Sequence, residues 1–298
     1  MKELILPFCL LALVSLGGGA AAQPAPAGGA ADSSLVESGY VEVAGGRIFY
    51  EAAGRGPAIV MIHDGILHRE TWNAQFAEFA RSHRVIRWDR RGYGRSDPPA
   101  APFSNLEDLH ALMTALGVER ATLLGCSAGG LLAICFALDH PEMVESLVLV
   151  GPIVSGFGFS EHFRTRGNRG QPAGDAPVEE QIRYWTSVDP RLTAPESAAA
   201  RQTMRSLLTA NPQDLTGSGN HARWPRTPAM PRLPEIKVPT LIVTGESDIP
   251  DVHAHVGVIE AGIAGSRRLV LAHSGHLPHL EVPDPFNKAV LEFLAAVR

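Results

Sequence analysis

The stretch Gly125-Cys126-Ser127-Ala128-Gly129 decides the fold of this chain. One apolar run, 121–124, precedes it and another, 131–137, follows it. The pattern predicts a strand, a tight turn and a helix, with Ser127 at the apex of the turn. The flanking glycines let the strand and the helix approach closely, and they let the serine hold a strained conformation with its hydroxyl exposed. This local structure is typical of a nucleophilic serine.

A serine nucleophile needs a carboxylate further along the chain that orients its base. The apolar run 240–243 predicts a strand, and the loop after it contains three acidic residues. We assign the acid to Asp248, with Glu246 and Asp251 as the alternatives. Its position after the serine and before the histidines fits the chain order expected for a turn of this kind.

The base is expected in a second loop, after the apolar run 268–271. That loop and the residues after it contain His273, His276 and His279. We assign the base to His276, because Gly275 lets the backbone bring that imidazole close to the serine.

The negative oxygen that forms during acyl transfer needs two N–H donors from the backbone. The first is assigned to Ala128, which follows the nucleophile at the amino end of the helix. The second is assigned to Gly65, in the loop after the apolar run 58–62, with Ile66 as the alternative if the loop is offset by one residue. His63 and Asp64 are expected to brace this loop and not to react.

Apolar, β-branched runs alternate with helical patterns along most of the chain. Predicted strands at 58–62, 85–88, 121–125, 147–150, 240–243 and 268–271 are separated by predicted helices. A hairpin at 41–50, predicted to turn at Gly45-Gly46, precedes them. Such alternation predicts an α/β fold, a mostly parallel sheet with helices on both faces.

One segment, 153–235, breaks the alternation. It contains no convincing strand, and its helical patterns lie around 179–186 and 196–209. We interpret it as a helical cap inserted into the core formed by 35–152 and 236–298. We expect a pocket over the serine that is lined by apolar residues of this segment, namely Phe157, Phe159, Trp185, Leu207 and Leu208. Trp185, together with Ile66 from the loop after 58–62, is singled out as a substrate contact. The alternative is an embellishment with no role in substrate choice.

The first 34 residues have the composition of a targeting segment followed by a linker. A short charged start, the apolar run 4–16 and the small-residue site at Ala20 and Ala22 predict a signal peptide over 1–22. Residues 23–34, rich in alanine, proline and glycine, are expected to form a disordered linker. The protein is therefore expected to be secreted or periplasmic, without stable membrane association after cleavage. A retained anchor is the alternative.

Composition excludes some classes of function. The net charge is −5 and no cluster of lysine and arginine forms a basic face, so no nucleic-acid partner is expected. His253 and His255 are two residues apart and do not share a helix face, so they are poor metal ligands. We expect no metal and no cofactor. The expected partner is a small-molecule substrate, and the oligomeric state stays open.

The motifs together resemble the α/β-hydrolase fold family, in its single-domain, capped group of serine hydrolases. The resemblance covers nearly all of 41–298. It rests on the serine turn, on His63-Asp64-Gly65, on the segment 89–96 (DRRGYGRS), and on 245–248 and 275–281. The family usually has glycine directly after the first of these histidines, and here Asp64 stands in its place.

The resemblance implies an enzyme that forms an acyl intermediate on Ser127. Relatives that open epoxides or displace halide carry aspartate at the turn, so the serine favours an esterase or lactonase. A carbon–carbon bond hydrolase of the same fold, acting on a ring-cleavage-type diketone, is the alternative enzyme. The alternative that is not an enzyme is a family member that keeps the fold and binds a ligand without catalysis.

Overall fold

The computed structural model describes residues 35–166, 172, 175–188, 192–194, 196–217 and 221–297. The predicted signal peptide and linker lie outside these residues, so they stay predictions. Within the described ranges no helix is both long and apolar enough to cross a bilayer.

Eight of the described strands form one sheet, in the order β1-β2-β4-β3-β6-β7-β9-β10. The first pair is an antiparallel hairpin, β2 pairs antiparallel with β4, and every later pairing is parallel. The strands are β1 Glu37–Val43, β2 Gly46–Ala53, β3 Ala58–Ile62, β4 Arg84–Trp88, β5 Phe103–Ser104, β6 Ala121–Cys126, β7 Val144–Val150, β8 Ala222–Arg223, β9 Thr240–Gly245 and β10 Arg267–Leu271.

Helices cover both faces of this sheet. They are α1 Asn73–Phe79, α2 Asn105–Ala115, α3 Ala128–Asp139, α4 Glu161–Arg166, α5 Val178–Arg183, α6 Ala198–Ala210, α7 Pro250–Gly262, α8 Pro278–Glu281 and α9 Pro283–Ala296. Short 3₁₀ turns occur at Arg69–Trp72, Pro141–Met143, Pro212–Leu215 and Met230–Glu235, and a π turn at Tyr184–Val188.

Strand β3 shows why the run 58–62 is continuously apolar. Val60 and Ile62 belong to the core cluster on one face of the sheet, and Ile59 and Met61 belong to the cluster on the other. A strand buried on both faces has no polar side, as expected for the centre of a parallel sheet. The predicted fold class is confirmed.

Three local features differ from the sequence prediction. The hairpin turns at Ala44-Gly45, where Gly45 has a φ of 81°, and Gly46 already pairs with Val43. The segment 153–235 does contain a strand, β8, whose two residues pair with β5. It also contains α4, which is too short to show a helical period in the sequence.

A buried ion pair ties this segment to the core. His68 Nδ1 lies 2.6 Å from Asp214 Oδ2, and both side chains are fully buried. The other oxygen of Asp214 accepts the N–H of Gly94 at 2.8 Å. Burial alone would lower the pKa of His68, but its bonds to Asp214 and Glu70 outweigh burial and raise that pKa to about 9.

We predict that Asp214→Asn destabilises the protein by about 3 kcal/mol at pH 7, because it leaves the buried His68 imidazolium without the opposite charge of its partner. The His68–Asp214 pair contributes its full stabilisation below about pH 6.5, the pKa of histidine in the unfolded chain. This contribution is lost as the pH rises through about 9, the pKa of His68 in the folded protein. Thermal melts of both proteins between pH 6 and 10 measure this.

The difference in melting temperature between wild type and variant should therefore shrink at the alkaline end. Asp97→Asn is the matched control, since it breaks the exposed pair between Asp97 and Arg47. It should cost less than about 1 kcal/mol. A constant difference for Asp214→Asn across this range would contradict the prediction.

Candidate active site

Ser127 sits at the junction of β6 and α3 in a strained backbone conformation. Its φ is 53° and its ψ −113°, a region that side-chain-bearing residues rarely adopt. Close packing around the turn holds it there. A Cβ at Gly125 would lie 2.3 Å from the carbonyl oxygen of Gly129, and one at Gly129 would lie 2.4 Å from that of Ile62. Both positions therefore require glycine.

His276 and Asp248 meet beside this turn. Imidazole Nδ1 lies 2.9 Å from carboxylate Oδ1, and both side chains are buried. An ionised carboxylate can accept a hydrogen bond but cannot donate one. Nδ1 therefore carries the proton, and Nε2 is the basic nitrogen. Gly151, with a φ of 48°, makes room for the pair, since a Cβ there would lie 2.9 Å from His276 Nδ1.

The electrostatics of the pair favour a basic imidazole. Burial by itself lowers the pKa of His276, but the charge of Asp248 and its hydrogen bond outweigh burial, and the pKa is raised above its ordinary value. The imidazolium that would form when this histidine takes a proton is therefore stabilised by a neighbouring charge.

The other two candidate histidines have different surroundings. The His273 side chain is 79% exposed, and its Nδ1 lies 3.3 Å from exposed Glu196. The His279 ring stacks on Trp72 with centroids 4.1 Å apart, and its Nε2 lies 3.0 Å from Thr71 Oγ1. Burial lowers the pKa of His279 to about 3. Of these three histidines, only His276 lines the cavity that also contains Ser127.

The two alternative acids have other surroundings. Glu246 is exposed. The two oxygens of Asp251 accept the N–H and the hydroxyl of Ser160, at 2.5 and 2.9 Å. Asp251 thus anchors the start of the inserted segment.

Glu281 fixes the histidine loop, a function that was not predicted from the sequence. Its Oε1 accepts the N–H groups of Gly275 and Leu277, at 2.9 and 3.2 Å, on either side of His276. Its Oε2 accepts the N–H of Ala194 and the hydroxyl of Ser197, both at 2.7 Å and both in the insert. One carboxylate therefore joins the insert to the loop that carries the imidazole. Its place six residues after Gly275 was the only signal in the sequence.

The predicted oxyanion donors come together at the amino end of α3. A Cβ at Gly65 would lie 3.7 Å from the Cβ of Ala128. The N–H of Ile66 already donates to Asp64 Oδ1 at 2.7 Å. Of the two alternatives, the geometry therefore favours Gly65 as the second donor.

His63 braces this loop, as expected. Its Nδ1 lies 2.8 Å from the backbone oxygen of Asp64, and its Nε2 accepts the N–H of Arg90 at 3.0 Å. The Arg90 guanidinium donates to the same oxygen of Asp64. Burial lowers the pKa of His63 well below its ordinary value, which keeps the ring neutral.

The segment 89–96 is also structural. Asp89 Oδ1 accepts the N–H of Arg69 at 2.9 Å, and its Oδ2 accepts the Arg69 guanidinium at 2.8 Å. Arg91 forms a bidentate pair with Asp108 at 2.7 and 2.8 Å. These bonds tie the loop after β4 to the 3₁₀ turn that follows β3 and to helix α2.

Ser127 and His276 open into one cavity of about 200 Å³. Both predicted substrate contacts, Ile66 and Trp185, line it. The full lining is Asp64, Gly65, Ile66, Leu67, Ser127, Phe163, Tyr184, Trp185, Leu192, Met204, Ile249, His276 and Leu277.

The predicted apolar lining from the insert was wrong at four of five positions. Trp185 lines the cavity, but Leu207 and Leu208 are buried in the core instead. Phe157 and Phe159 pack on the ring of His255, with centroids 4.9 and 4.7 Å away. The insert instead contributes Phe163, Tyr184, Leu192 and Met204.

Comparisons with known proteins agree with this fold. The family model for the alpha/beta hydrolase fold matches residues 57–283. The chain is 30% identical over 262 residues to the 2-hydroxy-6-oxo-6-phenylhexa-2,4-dienoate hydrolase of Comamonas testosteroni, covering 83% of this chain and 91% of the relative.

Two solved structures are similar over most of the chain. Est816, described as an N-acyl homoserine lactone degrading enzyme, is 27% identical with a TM-score of 0.70, covering 86% of this chain and 100% of that one. The esterase RhEst1 from Rhodococcus sp. ECU1013 is 26% identical with a TM-score of 0.73, covering 88% and 99%. The prediction of a hydrolase is thereby confirmed. The chain belongs to the alpha/beta hydrolase fold family.

Proposed function

We propose that the protein cleaves a small carboxylic ester or lactone through an acyl intermediate on Ser127. The proposal rests on one cavity that both Ser127 and His276 line. The serine is strained and half-exposed, and the imidazole is paired with Asp248. Similarity to an esterase and to a lactone-degrading enzyme supports the same reaction class.

In the first half of the reaction, the Ser127 hydroxyl attacks the carbonyl carbon and its proton passes to His276 Nε2. The carbonyl oxygen becomes an anion that accepts the N–H groups of Ala128 and Gly65. The tetrahedral intermediate then expels the alcohol oxygen, which takes the proton from His276. The acyl group remains on the serine.

In the second half, water attacks the acyl carbon and gives one proton to His276. The acid is released when Ser127 Oγ leaves and regains that proton. Asp248 keeps the imidazole in the required tautomer and stabilises its charged form in both halves. For a lactone, the alcohol and the acid are the two ends of one product.

A carbon–carbon bond hydrolase is the second candidate, favoured by the name of the Comamonas relative. A dienoate carries a carboxylate. The described lining of the cavity contains no lysine or arginine that would bind one. Comparing kcat/KM for 4-nitrophenyl butyrate and for that dienoate separates the two candidates.

Ser127→Ala should lower kcat for 4-nitrophenyl butyrate by at least about 10³-fold, because the nucleophilic oxygen is the only atom lost. A fluorophosphonate probe should label the wild type on Ser127 and leave the variant unlabelled. Ser38→Ala, at an exposed position of β1, is the control and should retain full activity. Retention of more than a few per cent of kcat by a folded Ser127→Ala would contradict the assignment.

The rate should depend on the protonation of His276. We expect kcat/KM to rise with pH through a midpoint above 6.5, since the base acts when neutral and its pKa is raised. Asp248→Asn should lower kcat about 10³- to 10⁴-fold and shift the midpoint to lower pH. His273→Ala serves as the control and should keep the wild-type profile. An inactive His273→Ala with an active His276→Ala would show that the base is misassigned.

Trp185 is the residue of the insert whose removal should change substrate preference. Trp185→Ala enlarges the cavity, so kcat/KM for longer acyl chains should rise relative to acetate by roughly 10-fold or more. A panel of 4-nitrophenyl esters from acetate to decanoate measures this, alongside a thermal melt. A lower melting temperature with unchanged preference would instead show that Trp185 only packs the insert.

A further inference from the structure

Asp64 lines the cavity and carries a buried carboxylate. Its Oδ1 accepts the N–H groups of Ile66 and Leu67, at 2.7 and 3.0 Å. Its Oδ2 is buried and has no hydrogen-bond partner in the part of the chain that the structure describes. The residue is only 3% exposed, so water screens its charge weakly.

Among the described residues, the hydrogen bonds to the Asp64 carboxylate come from backbone N–H groups and not from a basic side chain. The Arg90 guanidinium donates to the backbone oxygen of Asp64 and not to its carboxylate. His63 is neutral, because burial lowers its pKa. Tyr93 donates its hydroxyl to the carbonyl oxygen of Gly65.

The carboxylate acts on the reacting groups. Asp64 is one of the charges that raise the pKa of His276, after Asp248. The remaining described lining of the cavity is mostly apolar and includes no lysine or arginine. The lining therefore includes one carboxylate, and no lysine or arginine of the described lining compensates its charge.

We propose that Asp64 makes the enzyme select neutral acyl groups and reject those that carry a carboxylate. The inference rests on the proposed function and narrows its substrate class to uncharged esters and lactones. Two like charges about 6–8 Å apart, at an effective dielectric constant of about 20, repel strongly enough to weaken binding tenfold or more.

Two esters with the same acyl chain test this inference. Mono-4-nitrophenyl glutarate ends in a free carboxylate, and 4-nitrophenyl methyl glutarate ends in its methyl ester. For the wild type we expect kcat/KM to favour the neutral ester by at least tenfold, after the spontaneous hydrolysis of each ester at the assay pH has been subtracted. Equal rates for the two esters would overturn the proposal.

Asp64→Asn is the decisive variant, since the amide oxygen still accepts the two N–H bonds of the loop while the charge is lost. The ratio of the two kcat/KM values, and not either rate alone, should fall by about tenfold. Glu42→Gln removes one exposed charge from β1 and should leave the ratio unchanged. An unchanged ratio in folded Asp64→Asn would overturn the proposal.

Asp64→Ser, whose hydroxyl also accepts N–H bonds in such a turn, replaces the asparagine variant if that one does not fold. Binding of the two intact esters to Ser127→Ala, followed by tryptophan fluorescence, measures the charge preference without turnover. If the wild type hydrolyses neither ester, the proposed function fails. In that case the binding measurement still tests the selectivity of Asp64. Ser127→Ala should bind the neutral ester at least tenfold more tightly than the charged one.

Discussion

The contact between strand β6 and helix α3 is the constraint on which the site depends. The two elements approach so closely at Gly125 and Gly129 that a single methyl group would overlap backbone atoms. This contact holds Ser127 at a positive φ, at a cost of order 1–3 kcal/mol that the surrounding sheet and helix must offset. It also brings the amino end of α3 next to the loop after β3.

Close packing also surrounds the base. Gly151, at the end of the neighbouring strand β7, leaves room for the imidazole and the carboxylate that orients it. Three consecutive parallel strands of the sheet, β6, β7 and β9, thus end at one edge with a serine, a glycine and the acid loop. Parallel strands deliver their following loops to a common edge, so residues distant in sequence meet there.

The sequence was informative where a single local cause decides the structure. Continuous apolar runs identified the buried strands, and the glycines around Ser127 identified the turn. The partnership of Asp248 with His276 followed from chain order, and the structure places them 2.9 Å apart. The first two signals lie within a few neighbouring residues, and the third is the order of three short motifs along the chain.

What the sequence could not provide is pairing between distant polar side chains and packing within the insert. His68 and Asp214 are 146 residues apart, and nothing local indicates that they meet. The helical period of α6 marks Leu207 and Leu208 as buried without showing whether they face the cavity or the core. The lining residues Phe163 and Leu192 lie in short or irregular segments, where periodicity gives no direction.

The four bonds of Glu281 make the insert a poor candidate for exchange between relatives. A grafted segment that lacks an N–H donor at position 194 or a hydroxyl at position 197 would leave part of a half-buried carboxylate without partners. The loop that carries the imidazole would then relax. Recombination within this fold should therefore keep residues 194–197 with the carboxyl-terminal part of the chain, so that the crossover falls inside the insert and not at its end.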